Sequence, residues 1–163
     1  MSRLVGRALT PALVERLSQR DLANRLGVAL PLVTVDGGGR PHPMMVSYLE
    51  LRAYDPGTIG LVIQAGTSST ANLAARDVAT LVVVESDVVA YLKLRRLDGP
   101  LDVAEDPRLV YFLLAVEEVR EDTAPEEEGG ARIVAGARYA PTPDLHSAWA
   151  RVTLDALTPR ARA

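Results

Sequence analysis

One stretch, Thr58 to Val84 (TIGLVIQAGTSSTANLAARDVATLVVV), limits what this chain can fold into. Ile59, Leu61, Ile63 and Ala65 alternate with Thr58, Gly60, Val62 and Gln64. That period of two predicts a strand with one face in a core. Gly66 ends the pattern, and Thr67, Ser68, Ser69 and Thr70 follow as a run of hydroxyls. Any of Thr67 to Ser69 can cap a helix through its side-chain oxygen. That helix carries Leu73, Ala74 and Ala75 and stops near Asp77. Leu81 to Val84 is an unbroken apolar run, the pattern of a strand covered on both faces. A helix N-terminus with free amides and several hydroxyls is a natural phosphate site.

The flanking sequence repeats short strands and tight turns. Thr10-Pro11 starts a helix, with a hydroxyl at the cap and proline at the first helical position. Leu13 and Leu17 share a face, as do Leu22 and Leu26, and Gly27 supplies the stop, so one helix is expected over 11–26. Leu30 to Val35 reads as a strand and Asp36-Gly37-Gly38-Gly39 as a hairpin turn. Pro41 to Arg52 reads as one further strand, with Met44, Val46 and Tyr48 facing one way and Met45, Ser47 and Leu49 the other. Asp55-Pro56-Gly57 is a turn. Beyond Glu85, Val88 to Leu97 is a strand, bent at Asp98-Gly99-Pro100 before Leu101 to Val103. Val110 to Val119 is a long strand, Glu121 to Gly130 an exposed acidic loop, and Ala131 to Tyr139 a final strand. Leu145, Trp149 and Val152 follow at helical spacing, which places a C-terminal helix over 143–158. Short strands joined by turns, without strand–helix–strand alternation, indicate an antiparallel barrel over 28–140 in a single domain, 1–163.

Composition narrows the function. The chain has 163 residues and a net charge of −3, with no cluster of basic residues, which disfavours nucleic acid as a partner. There is no cysteine and only two histidines, His42 and His146, so thiol chemistry is excluded and no metal site is expected. No apolar run approaches the roughly 20 residues of a membrane span, and Met1 to Pro11 lacks a signal-peptide core. A soluble, cytoplasmic protein without a membrane partner is the expectation.

Four segments resemble the pyridoxamine 5′-phosphate oxidase-like FMN-binding split barrels. Leu30 to His42 (LPLVTVDGGGRPH) is similar to the family's opening hairpin, and Asp55 to Gly66 (DPGTIGLVIQAG) to its third strand. Ser68 to Val84 is similar to the segment in which a phosphate loop leads into a short helix and a buried strand. Leu94 to Leu101 (LRRLDGPL) is similar to a later valine-arginine-valine-x-glycine strand. The resemblance spans about residues 28 to 120 and rests on the order and spacing of the segments. It implies a mainly β fold, a six-stranded antiparallel split β-barrel with flanking helices. It also implies a homodimer with FMN at the interface, the phosphate at the turn before the short helix, and an oxidoreductase acting on a small-molecule redox substrate.

The cofactor-binding positions implied are Met45, Val46 and Ser47 on one strand, the run Gln64, Ala65, Gly66, Thr67, Ser68, Ser69 and Thr70, then Asn72 and Lys93. Each has a plainer reading: capping for the hydroxyls and Asn72, packing for the methionine, solvent for Gln64 and Lys93. No side chain stands out as a general acid, base or nucleophile. Many relatives carry lysine or arginine where this chain has Ser69 or Thr70. A compensating cation would come from Arg40, Arg76, Lys93 or Arg95. A second reading is therefore a split barrel without flavin chemistry, acting as a binding or interaction protein. A third is a deazaflavin or haem in the same groove.

Overall fold

Eight strands form one antiparallel sheet in the computed structural model, which describes residues 2–122 and 132–159. The elements are β1 (Ser2–Gly6), α1 (Pro11–Leu17), α2 (Leu22–Arg25), β2 (Ala29–Val35), β3 (Pro41–Ser47), β4 (Leu51–Asp55) and β5 (Thr58–Gln64). They continue with α3 (Ser68–Arg76), β6 (Val78–Glu85), β7 (Val88–Asp102), β8 (Leu109–Asp122) and α4 (Ala148–Ala156). The order across the sheet is β3-β2-β6-β7-β8-β5-β4, with β1 also paired to β8. Consecutive strands β3 and β4 lie at opposite ends of that order, and no ladder joins them. The barrel is split at this seam.

Alternation along each strand fills the interior. Leu30, Leu32, Leu61, Ile63, Leu81, Val83, Leu92, Leu94, Phe112 and Leu114 are all buried in one core. The helix α3 adds Leu73 to it, and α1 adds Leu13 and Leu17. A second, smaller cluster lies on the other side of β5, where Val62 packs with Val103, Leu109 and Leu157. This is why Val62, on the face expected to be polar, is also buried.

Several local expectations are corrected by tertiary contacts. The helix over 11–26 is two helices, because Ser18 ends α1 and Gln19 takes a φ of +65°. Gln19 Nε2 donates to the carbonyls of Tyr48 (3.3 Å) and Leu49 (3.1 Å), which holds the break in place. The single strand expected over Pro41 to Arg52 is interrupted by a 3₁₀ turn, Tyr48–Glu50. Glu50 Oε2 accepts from Ser47 N (2.7 Å) and Ser47 Oγ (2.8 Å), a local bond that competes with the ladder. Tyr48 and Leu49 are then both buried instead of facing opposite ways.

Other differences concern the sheet. The strand β6 is covered on one face only: Leu81 and Val83 are buried, while Val82 and Val84 are part-buried on the outer face. The strand β7 runs through the Asp98-Gly99-Pro100 bend to Asp102, with register shifts that absorb it. No final strand forms over 132–139, where a single bridge joins Val28 and Arg138 and Val134 is 86% exposed. Ala131 and residues 123–130 of the expected acidic loop lie outside the described residues. With Pro41 to Arg52 divided, β1 added and the last strand absent, the sheet has eight strands where a six-stranded barrel was expected. The C-terminal helix is shorter than 143–158, starting after the Ser147 cap.

Candidate functional site

The turn between β5 and α3 is built by its own hydroxyls. The Thr70 hydroxyl donates to the Gln64 carbonyl at 2.7 Å. Thr67 Oγ1 lies 3.0 Å from Thr70 Oγ1 and accepts from the Thr70 amide at 3.2 Å. Thr67 is thus the helix cap, one of the three candidates the sequence offered. Gly66 takes a φ of +71° and turns the chain out of the strand. Two of the four hydroxyls are therefore engaged in closing the turn, which removes Thr67 and Thr70 as strong ligand donors.

What remains is a short row of donors. The amide of Ala71 bonds to the Thr67 carbonyl (3.0 Å), and the amides of Ser68 and Ser69 precede this first helical bond. Ser68 is exposed; Ser69 is only 3% exposed. Gln64 is exposed at the end of its strand, and Ala65 is anchored by its amide to the Arg108 carbonyl at 2.7 Å. The site is the N-terminus of a nine-residue helix with two amides that make no bond among the described residues and the Ser68 hydroxyl beside them. It suits an anionic group held by neutral donors and a partial positive dipole.

The helix is held rigidly behind this end. Asn72 Nδ2 donates to Thr34 Oγ1 (3.2 Å), and Thr34 in turn donates to the His42 carbonyl (3.2 Å). Asn72 is accordingly a tether of α3 to β2. At the far end Asp77 takes the left-handed conformation that ends the helix. Arg96 clamps it there: Nε donates to Asp77 Oδ1 (2.8 Å), one Nη to the Gly99 carbonyl (2.6 Å) and the other to the Ala74 carbonyl (3.3 Å). Arg76 reaches the Gly37 carbonyl at 2.7 Å. The role of Arg96 was legible from alternation, which puts it on the face of Leu92 and Leu94, where a charge needs partners.

The other expected residues separate into two places. Met45 is 42% exposed on β3, and Val46 is buried in the core. Ser47 is buried with its hydroxyl given to Glu50. Lys93 lies elsewhere, in a groove on the outer face of the sheet that Gln64 to Thr70 do not line. None of the four candidate cations bonds to the turn. Arg40 pairs with Asp36, Arg76 bonds to Gly37, Arg95 pairs with Glu117, and Lys93 donates to Thr80. Among the described residues no cluster of three or more metal-binding side chains occurs.

Comparison with known proteins bears on the fold. No protein-family model matches the sequence, and no curated protein matches it. A provisionally assigned pyridoxamine 5′-phosphate oxidase from Lactobacillus delbrueckii superposes with a TM-score of 0.56 at 19% identity, covering 73% of this chain and 98% of that one. A provisionally assigned flavin reductase with a split barrel domain from Shewanella frigidimarina gives 0.51 at 12% identity, covering 85% and 96%. The HupZ protein of Group A Streptococcus gives 0.51 at 12% identity, covering 81% and 100%. The chain has the split β-barrel fold shared by these proteins, the fold of the group its sequence resembles.

Proposed function

We propose that this chain is a cytoplasmic, homodimeric flavoprotein that binds FMN and serves as an oxidoreductase for a small-molecule substrate. The observation that carries the reading is the free α3 N-terminus, with the amides of Ser68 and Ser69 and the exposed Ser68 hydroxyl, on a split barrel. These donors would hold the phosphate, and Gln64, exposed at the end of β5 beside the turn, is the side chain of the expected set next to them. Bound FMN would supply the hydride chemistry; the chain would supply binding, orientation and exclusion of water. Part-buried Val82 and Val84 on the outer face of β6, with exposed Met45, support a second copy as partner.

The visible spectrum of the purified protein, followed by titration with FMN, tests the reading. Flavin bands or micromolar binding are expected, and a colourless protein that ignores FMN overturns it. Replacing Ser68 and Ser69 with alanine is expected to weaken FMN by at least several-fold, about one hydrogen bond's worth. Unchanged affinity sinks the phosphate assignment. Light scattering is expected to give twice the monomer mass.

A second reading has its own support: among the described residues no basic side chain bonds to the turn. A phosphate near charge −2 is then met only by neutral donors and the helix dipole. This favours a split barrel that takes a different ligand, a deazaflavin or haem, or that acts as an interaction protein. Titration with each ligand separates these possibilities from FMN.

A further inference from the structure

Two neighbouring strands diverge at one end of the barrel. The strand β2 pairs with β6 only at Leu32 with Leu81, Val33 with Thr80 and Thr34 with Ala79. Continued by two or three residues, that register would set Leu30 against Val83 and Ala29 against Val84, yet the ladder stops. Pro31 supplies the reason. The Ala29 amide donates to the Ala137 carbonyl at 2.9 Å, so alternation puts Pro31 and Val33 on the same edge of β2. Pro31 has no N–H to offer β6 there.

Residues 136–139 fill the fork. Val28 and Arg138 form a bridge, and the Tyr139 amide donates to the Gly27 carbonyl at 2.7 Å. Gly136 lies so close to β6 that an added Cβ would overlap the Val84 carbonyl oxygen. One short segment thus touches both strands and closes the gap between them, and it does so with its backbone. Arg132 to Ala135, Ala137 and Arg138 are exposed, and Gly136 and Tyr139 are half-buried. The one side-chain hydrogen bond of 132–139 among the described residues runs from Arg138 Nη2 to the Leu26 carbonyl, at 3.2 Å. The following helix α4 is anchored differently, by Ala150, Thr153 and Leu157, all buried.

We infer that residues 132–139 are a detachable strap, which leaves the fork between β2 and β6 while the barrel stays folded. A segment held by a few backbone bonds, with little apolar surface buried, opens at a far lower free energy than a core strand. Release leaves the Ala29 amide and the Gly27 carbonyl unpaired and uncovers the Val84 carbonyl of β6. It opens a slot in the side of the sheet between Leu30 and Val83, both buried when the strap is in place. The strap is therefore a conformational device separate from the α3 turn, and it operates whichever ligand that turn takes.

Native-state hydrogen exchange on the full ¹⁵N-labelled chain is the test. The amides of Ala29 and Tyr139, which both bond across the fork, are expected to exchange together and with little dependence on urea. Their rate is expected to be at least about a hundredfold above that of Phe112 and Leu114 on β8, which is paired on both sides. Arg138→Ala removes one exposed side chain and its bond, and is expected to speed Ala29 and Tyr139 about fivefold while leaving Phe112 and Leu114 unchanged. Gly136→Ala is expected to expel the strap, with both amides close to unprotected exchange and β8 still protected. Exchange of Ala29 and Tyr139 in step with β8, at one rate and one urea dependence, would overturn the inference. So would a loss of β8 protection in Gly136→Ala, or an equal effect of Arg138→Ala on both sets of amides.

Discussion

Replacing Glu85 with alanine should destabilise the fold by about 3 kcal/mol, because three donors converge on its carboxylate. Arg16 Nη1 donates at 2.5 Å, Arg25 Nη1 at 3.1 and 3.2 Å, and the Tyr48 hydroxyl at 2.5 Å. The side chains are largely shut away from water: 18% exposed for Glu85, 11% for Arg16 and 20% for Arg25. Removing one partner of a buried pair costs about 3–5 kcal/mol, since the other charge is left uncompensated. Here Arg16 keeps Asp87 at 2.5 Å, and Arg25 keeps Asp21 at 3.8 Å and the Tyr48 ring at 5.5 Å. Those contacts and the residual solvent bring the ionic part down to about 2 kcal/mol. The Tyr48 hydroxyl, left without its acceptor in a buried position, adds about 1 kcal/mol. Tyr48→Phe removes only that last part, so it should cost about 1 kcal/mol. The assay is urea unfolding followed by the fluorescence of Trp149, the only tryptophan, which packs against both core clusters. The midpoint should fall while the slope is unchanged. A Glu85→Ala loss under about 1 kcal/mol, or a Tyr48→Phe loss equal to it, would refute this account of the network.

Other outcomes follow from particular contacts. Burial pushes the Glu50 carboxyl above its ordinary value, partly opposed by its bonds from Ser47. The folded state therefore binds the proton more tightly than the unfolded chain. The stability contributed by protonated Glu50 is full below its unfolded value of about 4.5 and is lost as pH rises through the higher folded value. Urea midpoints measured from pH 4 to 7 should show this fall in the native chain and a flatter profile in Glu50→Gln; parallel profiles would contradict it. Asp106 acts in the opposite sense: its bonds from the Arg108 side chain and amide lower it to about 2, so its contribution is present above 3.8 and lost as pH falls through 2. Gly99→Ala should cost at least about 2 kcal/mol, because φ is +96° and an added Cβ would meet the Tyr111 carbonyl oxygen at 2.5 Å. A thermal midpoint within a degree of the native value would refute that clash.

Local chemistry was read directly from the chain, and non-local pairing was not. Thr10 and Thr67 cap helices as expected, since a cap needs only a hydroxyl and an amide three residues on. The Asp36 to Gly39 turn was legible for the same reason: Asp36 Oδ1 accepts from Gly38 (2.8 Å) and Arg40 (2.9 Å) within the turn itself. Alternation in Thr58 to Gln64 identified the core face because the period of two is a property of any strand.

The rest depended on residues distant in sequence. Whether the outer face of β6 is covered depends on neighbours the run Leu81 to Val84 does not encode. The break at Gln19 is held by carbonyls 29 and 30 residues further on. Asn72 has the same composition signature as a ligand or a tether, and only the position of Thr34 decides between them. The hydroxyl run predicted a site at α3, but the structure engages Thr67 and Thr70 internally and leaves Ser68 outward. Arg7 and Lys93, 86 positions apart by their numbers, share a groove solely because β1 and β7 both pair with β8. Sequence by itself determined the turns, the caps and the alternation of the central strand, which rest on neighbours in the chain. Only the tertiary structure decided which faces are covered and which charges meet, because burial and Coulomb interaction depend on distance in space.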